Sequence, residues 1–243
     1  MNAFYSAFKA MQATQLARGK TKWLQLGWVY VDSGNILQKY LSSEETLSVH
    51  YDILDTEAIV AKIEAMGDAL SVVVLECPTN PFCQIADLKL IAECVHRHGG
   101  LLLIDPSIVS LYNIDCFPYA DVLVTSLTKY AAHTGDVMAG AILFNEASPV
   151  YLELKKQGIE YTLPLDDLDM LALNKTLQSA ESHVQTMNSN CRALVDFLKS
   201  HSKIKKVFSV QENKHHKKYL KHEQACGSII SIELYEEIKD FYD

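Results

Sequence analysis

The strongest constraint on this chain is a series of short apolar runs without polar alternation, interleaved with segments of helical spacing. Ser71-Val72-Val73-Val74-Leu75 is the clearest, and Leu101-Leu102-Leu103-Ile104 repeats it after Gly99-Gly100. Asp121-Val122-Leu123-Val124-Thr125 and Ala139-Gly140-Ala141-Ile142-Leu143-Phe144 follow. A strand with one wet face alternates in polarity, whereas a strand with none is covered on both faces, as in a parallel sheet flanked by helices. The intervening segments supply those helices. Residues 1–17 place Phe4, Phe8, Met11 and Leu16 at helical spacing, Asp55 caps a helix over 55–66 that carries Ile59 and Ile63, and 87–98 is amphipathic. With strands expected over 23–31 (including an exit loop), 47–53 and a short helix over 34–41, the reading is α/β with a largely parallel sheet.

A chain of 243 residues holds one large core and part of a second unit. Beyond about residue 149 the texture changes. Residues 166–200 are helical throughout, as one long helix or two joined ones. Residues 203–223 are basic and irregular, and 228–234 alternate like a half-buried strand. The expected organisation is a large sheet domain over 1–146, connecting helices over 147–202 and a smaller domain begun over 203–243.

Charge excludes some functions. Against 30 acidic residues there are 22 Lys+Arg, a net −8, and the basic run over 214–218 is too short to make a nucleic-acid surface. No stretch of about 18 apolar residues suggests a membrane span, and no signal peptide opens the chain, so a cytoplasmic protein is expected. Six cysteines without a CxxC pair read as reduced thiols rather than disulfides or a zinc site. His96 and His98, two apart on a helix, point to different faces and are expected to be solvated or to face the helix C-terminal dipole; no metal is expected.

Ligands of open α/β sheets bind beyond the carboxyl ends of the strands. There the chain places Glu76-Cys77-Pro78-Thr79-Asn80-Pro81, Asp105, and Ser126-Leu127-Thr128-Lys129-Tyr130 with Asp136 seven residues past the lysine. By position alone these serve a site and strand-end turns equally well. In wording and order, however, they resemble the Cys/Met-metabolism family of pyridoxal-phosphate enzymes, which includes cystathionine γ-synthase, cystathionine lyases and methionine γ-lyase. The resemblance implies an aspartate-aminotransferase-type fold, the fold type I of pyridoxal-phosphate enzymes, and pyridoxal 5'-phosphate as cofactor.

It also implies roles. Lys129 resembles the lysine that forms a Schiff base with the cofactor and then shuttles protons. Asp105 resembles the carboxylate that keeps the pyridine nitrogen protonated, on which the electron sink depends. Ser126 and Thr128 resemble the phosphate-binding hydroxyls. Met1 matches the last residue of an S-G-M sequence whose backbone amides complete that phosphate site at a helix N-terminus. Tyr30 resembles a tyrosine that stacks on the pyridine and takes part in proton transfer, although Val31 and Asp32 stand where the family has glycines. Asn80 falls near the cofactor 3-hydroxyl or the substrate, and Glu76 orients its loop rather than reacting.

The family's N-terminal arm and its C-terminal substrate-carboxylate arginine have no counterpart here, and the chain reads as the central portion of a longer enzyme. Its expected substrates are small amino acids of the homoserine-ester, cysteine and cystathionine class. The Tyr30-Val31-Asp32-Ser33 segment and Pro106 favour a cystathionine γ-synthase-like γ-replacement. A lyase of the same family, and a fragment that binds cofactor without turnover, are the alternatives. Relatives of this kind are homo-oligomers.

Overall fold

The computed structural model describes every residue except Ser42, Lys214, Tyr242 and Asp243. At its centre is a six-stranded sheet of β1 (Lys22–Leu26), β2 (Leu47–His50), β3 (Leu70–Glu76), β4 (Leu101–Asp105), β5 (Val122–Ser126) and β6 (Gly140–Phe144), in the order β2-β1-β3-β4-β5-β6. All neighbouring pairs are parallel except β5 with β6. The α/β fold with a mostly parallel sheet is therefore the one expected.

Period-two alternation sends successive side chains of each strand to opposite faces, and here both faces are apolar. Val73, Leu75, Leu102, Ile104 and Leu123 pack on one side against Ile59 and Ile63 of α3 (Thr56–Met66) and Ile91 and Val95 of α4 (Leu88–Arg97). Val72, Val74, Leu101, Leu103 and Val124 pack on the other side against Phe4, Phe8 and Met11 of α1 (Asn2–Leu16), Leu37 of α2 (Val31–Tyr40) and Leu154 of α5 (Tyr151–Tyr161). All seven residues of β3 are buried, which explains its lack of any polar alternation. Gly158 lets α5 close on β6, because a Cβ there would lie 2.2 Å from the Phe144 ring.

Topology decides where a ligand can sit. From β1 the chain runs through α2 to the edge strand β2, then returns through α3 to β3 on the opposite side of β1. This reversal is a switch point, and it opens a crevice between the carboxyl ends of β1 and β3.

The helical stretch 166–200 divides into α6 (Asp167–Leu177) and α7 (Ala180–Ser200). Helix α5 and strand β7 (Ile204–Phe208) were not legible, the latter because Lys205 and Lys206 interrupt its apolar pattern. Strand β7 pairs antiparallel with β8 (Ser231–Leu234), and Cys191 and Val195 of α7 cover this second sheet. A paired amide contact joins it to the first unit: the Asn113 and Asn188 side chains exchange hydrogen bonds of 3.0 and 2.7 Å, and the Gly227 N–H donates to Asn188 Oδ1. Among the described residues no helix is long and apolar enough to cross a membrane.

Candidate active site

The carboxyl edge of the sheet gathers several of the candidate residues. Glu76 and Asp105 end β3 and β4 at the same register. Glu76 accepts a hydrogen bond from the Tyr30 N–H, which ties the exit of β3 to the first turn of α2. Phe4, Val29, Ser33, Glu76 and Asp105 line one narrow gap, so the first turn of α1 reaches the same place. Met1 precedes α1, and no side chain caps its N-terminal amides.

Electrostatics separate the two acids from ordinary surface carboxylates. Burial, and secondarily the neighbouring Asp105, raise the Glu76 carboxyl to about 8. At neutral pH Glu76 is thus protonated. Asp105 is likewise pushed upward by burial, offset by hydrogen bonds from the Ser107 side chain and backbone. The Ser107 N–H lies 2.9 Å from Asp105 Oδ1, so Asp105-Pro106-Ser107 does close a turn, but the turn leaves a half-buried carboxyl with no Lys or Arg ion pair among the described residues. A protonated pyridine nitrogen is the type of partner such a group lacks.

Ser107 also extends the arrangement to β5, since its Oγ accepts the Ser126 N–H at 2.7 Å. Ser126 is half-buried and lines a cavity of about 220 Å³ with Ser110, Leu111, Tyr112 and Tyr130. Thr128 differs from its neighbour. Its hydroxyl is already engaged with the backbone of Ala139, accepting from N–H at 3.0 Å and donating to C=O at 3.3 Å. It therefore shapes the turn between β5 and β6.

Lys129 is exposed on that turn. Its surroundings are fixed on either side. Tyr130 is buried and donates its hydroxyl to the Ile108 carbonyl at 2.6 Å, while the Ser228 N–H donates to the same hydroxyl. Four residues past the lysine, His133 stacks on His183 of α7 with centroids 3.8 Å apart. Tyr30 and Asn80 are exposed at the rim, Asn80 in the loop that carries cis Cys77-Pro78 and Asn80-Pro81 peptides. Tyr30, Glu76, Asp105 and Ser126 are thus linked through strand pairing and hydrogen bonds, the last by way of Ser107; Met1 lies at the start of α1, and Lys129 and Asn80 stand on adjoining loops, none with a direct bond to them among the described residues.

Sequence reasoning missed Ser107 and Tyr130 as supports. The Asp-x-Ser spacing was the available signal for the first, whereas nothing local announces that Tyr130 reaches Ser228. Cys83 and Cys116 are buried, and burial raises their thiols to about 11 and about 12, so neither is a ready nucleophile. The two histidines are not simply solvated: His96 meets Asp121 at 2.8 Å and His98 meets Glu64 at 2.9 Å.

Comparison with solved structures places this fold in a known architecture. The chain superposes on cystathionine γ-synthase from Xanthomonas oryzae pv. oryzae with a TM-score of 0.76 at 18% identity, over 96% of this chain and 62% of that one. Methionine γ-lyase from Micromonospora echinospora gives 0.72 at 22% identity, over 93% and 62%. The fold is that of the type I pyridoxal-phosphate enzymes. The chain belongs to the Cys/Met metabolism PLP-dependent enzyme family, whose model matches residues 3–243.

Among curated relatives, it is 27% identical to L-2-amino-4-chloropent-4-enoate dechlorinase/desaturase of Streptantibioticus cattleyicolor, over 100% of this chain and 49% of that protein. It is 27% identical to cystathionine γ-synthase of Neurospora crassa, over 88% and 35%, and 29% identical to chloroplastic cystathionine β-lyase of Arabidopsis thaliana, over 69% and 37%. The chain spans half or less of the length of these relatives.

Proposed function

We propose that this chain binds pyridoxal 5'-phosphate at the carboxyl edge of its central sheet, within an enzyme of sulfur amino-acid metabolism that carries out γ-replacement of the cystathionine γ-synthase kind. The observation that carries the reading is Asp105: a half-buried carboxyl, raised by desolvation and without a salt bridge among the described residues, at the end of a central strand and beside the first turn of α1. When bound, the cofactor supplies the electron sink that stabilises negative charge at the substrate α-carbon.

The chain's own residues have distinct tasks in this reading. Asp105 holds the proton on the ring nitrogen. Lys129 supplies the amine that retains the cofactor covalently and, once released, carries a proton to and from the substrate. Tyr30 offers an exposed ring for stacking and a hydroxyl for proton transfer. The Ser126 hydroxyl and the open amides after Met1 receive the phosphate, with Thr128 holding the turn beneath it. Asn80 contacts the cofactor hydroxyl or substrate from the rim. Residues 1–146 form the cofactor-binding unit, 147–202 connect it, and 203–243 belong to a second unit.

The substrates are small amino acids of the homoserine-ester, cysteine and cystathionine class. A lyase is the second reading, supported by the similarity to the Arabidopsis thaliana β-lyase. Cofactor binding without turnover is supported by the chain's share of its relatives' length. Exposed Met138, Leu163, Leu168 and Leu171 favour association with a second copy, and six free cysteines favour a reducing compartment such as the cytoplasm.

Incubation with pyridoxal phosphate should turn the protein yellow, and borohydride followed by peptide mass mapping should place the reduced adduct on Lys129. An adduct on another lysine, or no colour, overturns the site. Turnover of homoserine esters with cysteine, set against breakdown of cystathionine, separates synthase from lyase. No turnover of either by a yellow protein selects the silent binder.

A further inference from the structure

On the outer face of α3 and α4, away from the sheet edge, three side chains of the types that ligate soft divalent metals converge. Cys94 and His98 stand four residues apart, at the end of α4 and at its C-cap, so they lie on one side of the helix. Glu64, from the last turn of α3, reaches between them: Oε1 accepts from Cys94 Sγ at 3.4 Å, and Oε2 lies 2.9 Å from His98 Nε2. All three potential ligand atoms lie within 4.8 Å of one another. Cys94 is buried, His98 half-buried and Glu64 exposed, which leaves one flank open to solvent for entry of an ion and for a water ligand.

We propose that Glu64, Cys94 and His98 form a binding site for a thiophilic divalent cation, Zn²⁺ in the first place, which clamps α3 to α4. Sulfur, imidazole nitrogen and carboxylate oxygen are the three zinc donor types, and their bond lengths of about 2.0 to 2.3 Å require ligand atoms gathered to this degree. Without metal, the one carboxylate of Glu64 serves both neighbours. On binding, the Cys94 proton leaves to solvent, neutral His98 donates through Nε2, and one thiolate and one carboxylate balance the 2+ charge. Two cations border the site. Arg97 Nη1 is 2.6 Å from Glu64 Oε1 and holds that oxygen as an outer partner, while Lys20 Nζ is 2.6 Å from the His98 carbonyl oxygen. Their repulsion is what the new thiolate must offset, so the site selects metals that prefer sulfur over those that prefer oxygen.

The test uses the full chain stripped with a chelator, titrated with Co²⁺ as a spectroscopic substitute and then with Zn²⁺. Expected are one cobalt per chain, a thiolate-to-cobalt charge-transfer absorption, its displacement by Zn²⁺, and a higher melting temperature with Zn²⁺ than with Mg²⁺. Cys94→Ser should remove the charge-transfer band, and His98→Gln, at a half-buried position, should weaken binding at least about tenfold. Absence of the band, its persistence in Cys94→Ser, or equal affinity in His98→Gln would overturn the proposal. Circular dichroism of both variants separates loss of the site from loss of the fold.

Discussion

Glu76 and Asp105 face each other at the carboxyl ends of adjacent parallel strands, and the first of them takes the Tyr30 N–H while the second takes that of Ser107. Two carboxyls at one register, one buried and one half-buried, cannot both ionise cheaply. The molecule resolves this by keeping Glu76 protonated, raised to about 8, mainly through burial.

That proton makes stability depend on pH. Because the folded value lies above the ordinary 4.5, the folded state holds more protons than the unfolded chain between the two, and stability falls as pH rises through this window. Glu76→Gln keeps an acceptor for Tyr30 but does not ionise. Its urea-unfolding free energy should decline less than that of the wild type between pH 4.5 and about 8. A parallel decline in both proteins would refute a buried neutral Glu76.

Asp105→Asn should affect the two ligation states in opposite directions. Without cofactor the variant loses a carboxyl whose ionised form desolvation disfavours, and should be at least as stable as the wild type. With pyridoxal phosphate it loses a charge-assisted contact worth about 1.5 to 3 kcal/mol, or roughly 10- to 150-fold in affinity. Fluorescence titration and thermal melts with and without cofactor measure both.

Tyr130→Phe removes the hydroxyl that accepts the Ser228 N–H and donates to the Ile108 carbonyl. Both backbone groups are left unpaired in a partly buried place, at a cost of about 1 to 3 kcal/mol in urea unfolding. Borohydride labelling should remain on Lys129 but reach completion more slowly. An unchanged unfolding midpoint would show that the tether contributes nothing.

At the opposite edge of the sheet, Asp121 accepts from the Leu102 N–H at 2.8 Å, from Ser148 Oγ at 2.6 Å, and pairs with His96. Asp121→Ala strands these donors and should destabilise the fold by about 3 kcal/mol without altering cofactor affinity. The hydrogen bond to Asp121 raises the His96 ring above 6.5, so its contribution is full below that pH and fades as pH rises through the raised value. Asp121→Asn should lose this component, seen by comparing melts at pH 6 and 8.

What the amino-acid sequence determined by itself was the sheet and the order of the blocks on it. Strands such as 72–75 and 101–104 are apolar on both faces, and a strand of that kind has only one class of environment available. Cofactor and family were legible for a related reason: Asp105 and Ser126 end strands and Lys129 follows in the next turn, where local pattern and position coincide. Strand β7 and helix α5 escaped because lysines at 205 and 206 and a weakly amphipathic 151–161 hide their burial, which is settled by what packs on them.

Only the tertiary structure decided the pairings between segments distant in sequence. Tyr30 with Glu76, Ser107 with Ser126, Tyr130 with Ser228 and Glu64 with Cys94 and His98 all depend on which elements become neighbours. The same holds for the engagement of Thr128 by Ala139, which sets it apart from Ser126 two residues away. Hydrogen bonds and desolvation act over a few ångströms of space, and the chain reveals that proximity only once the sheet order β2-β1-β3-β4-β5-β6 has been formed.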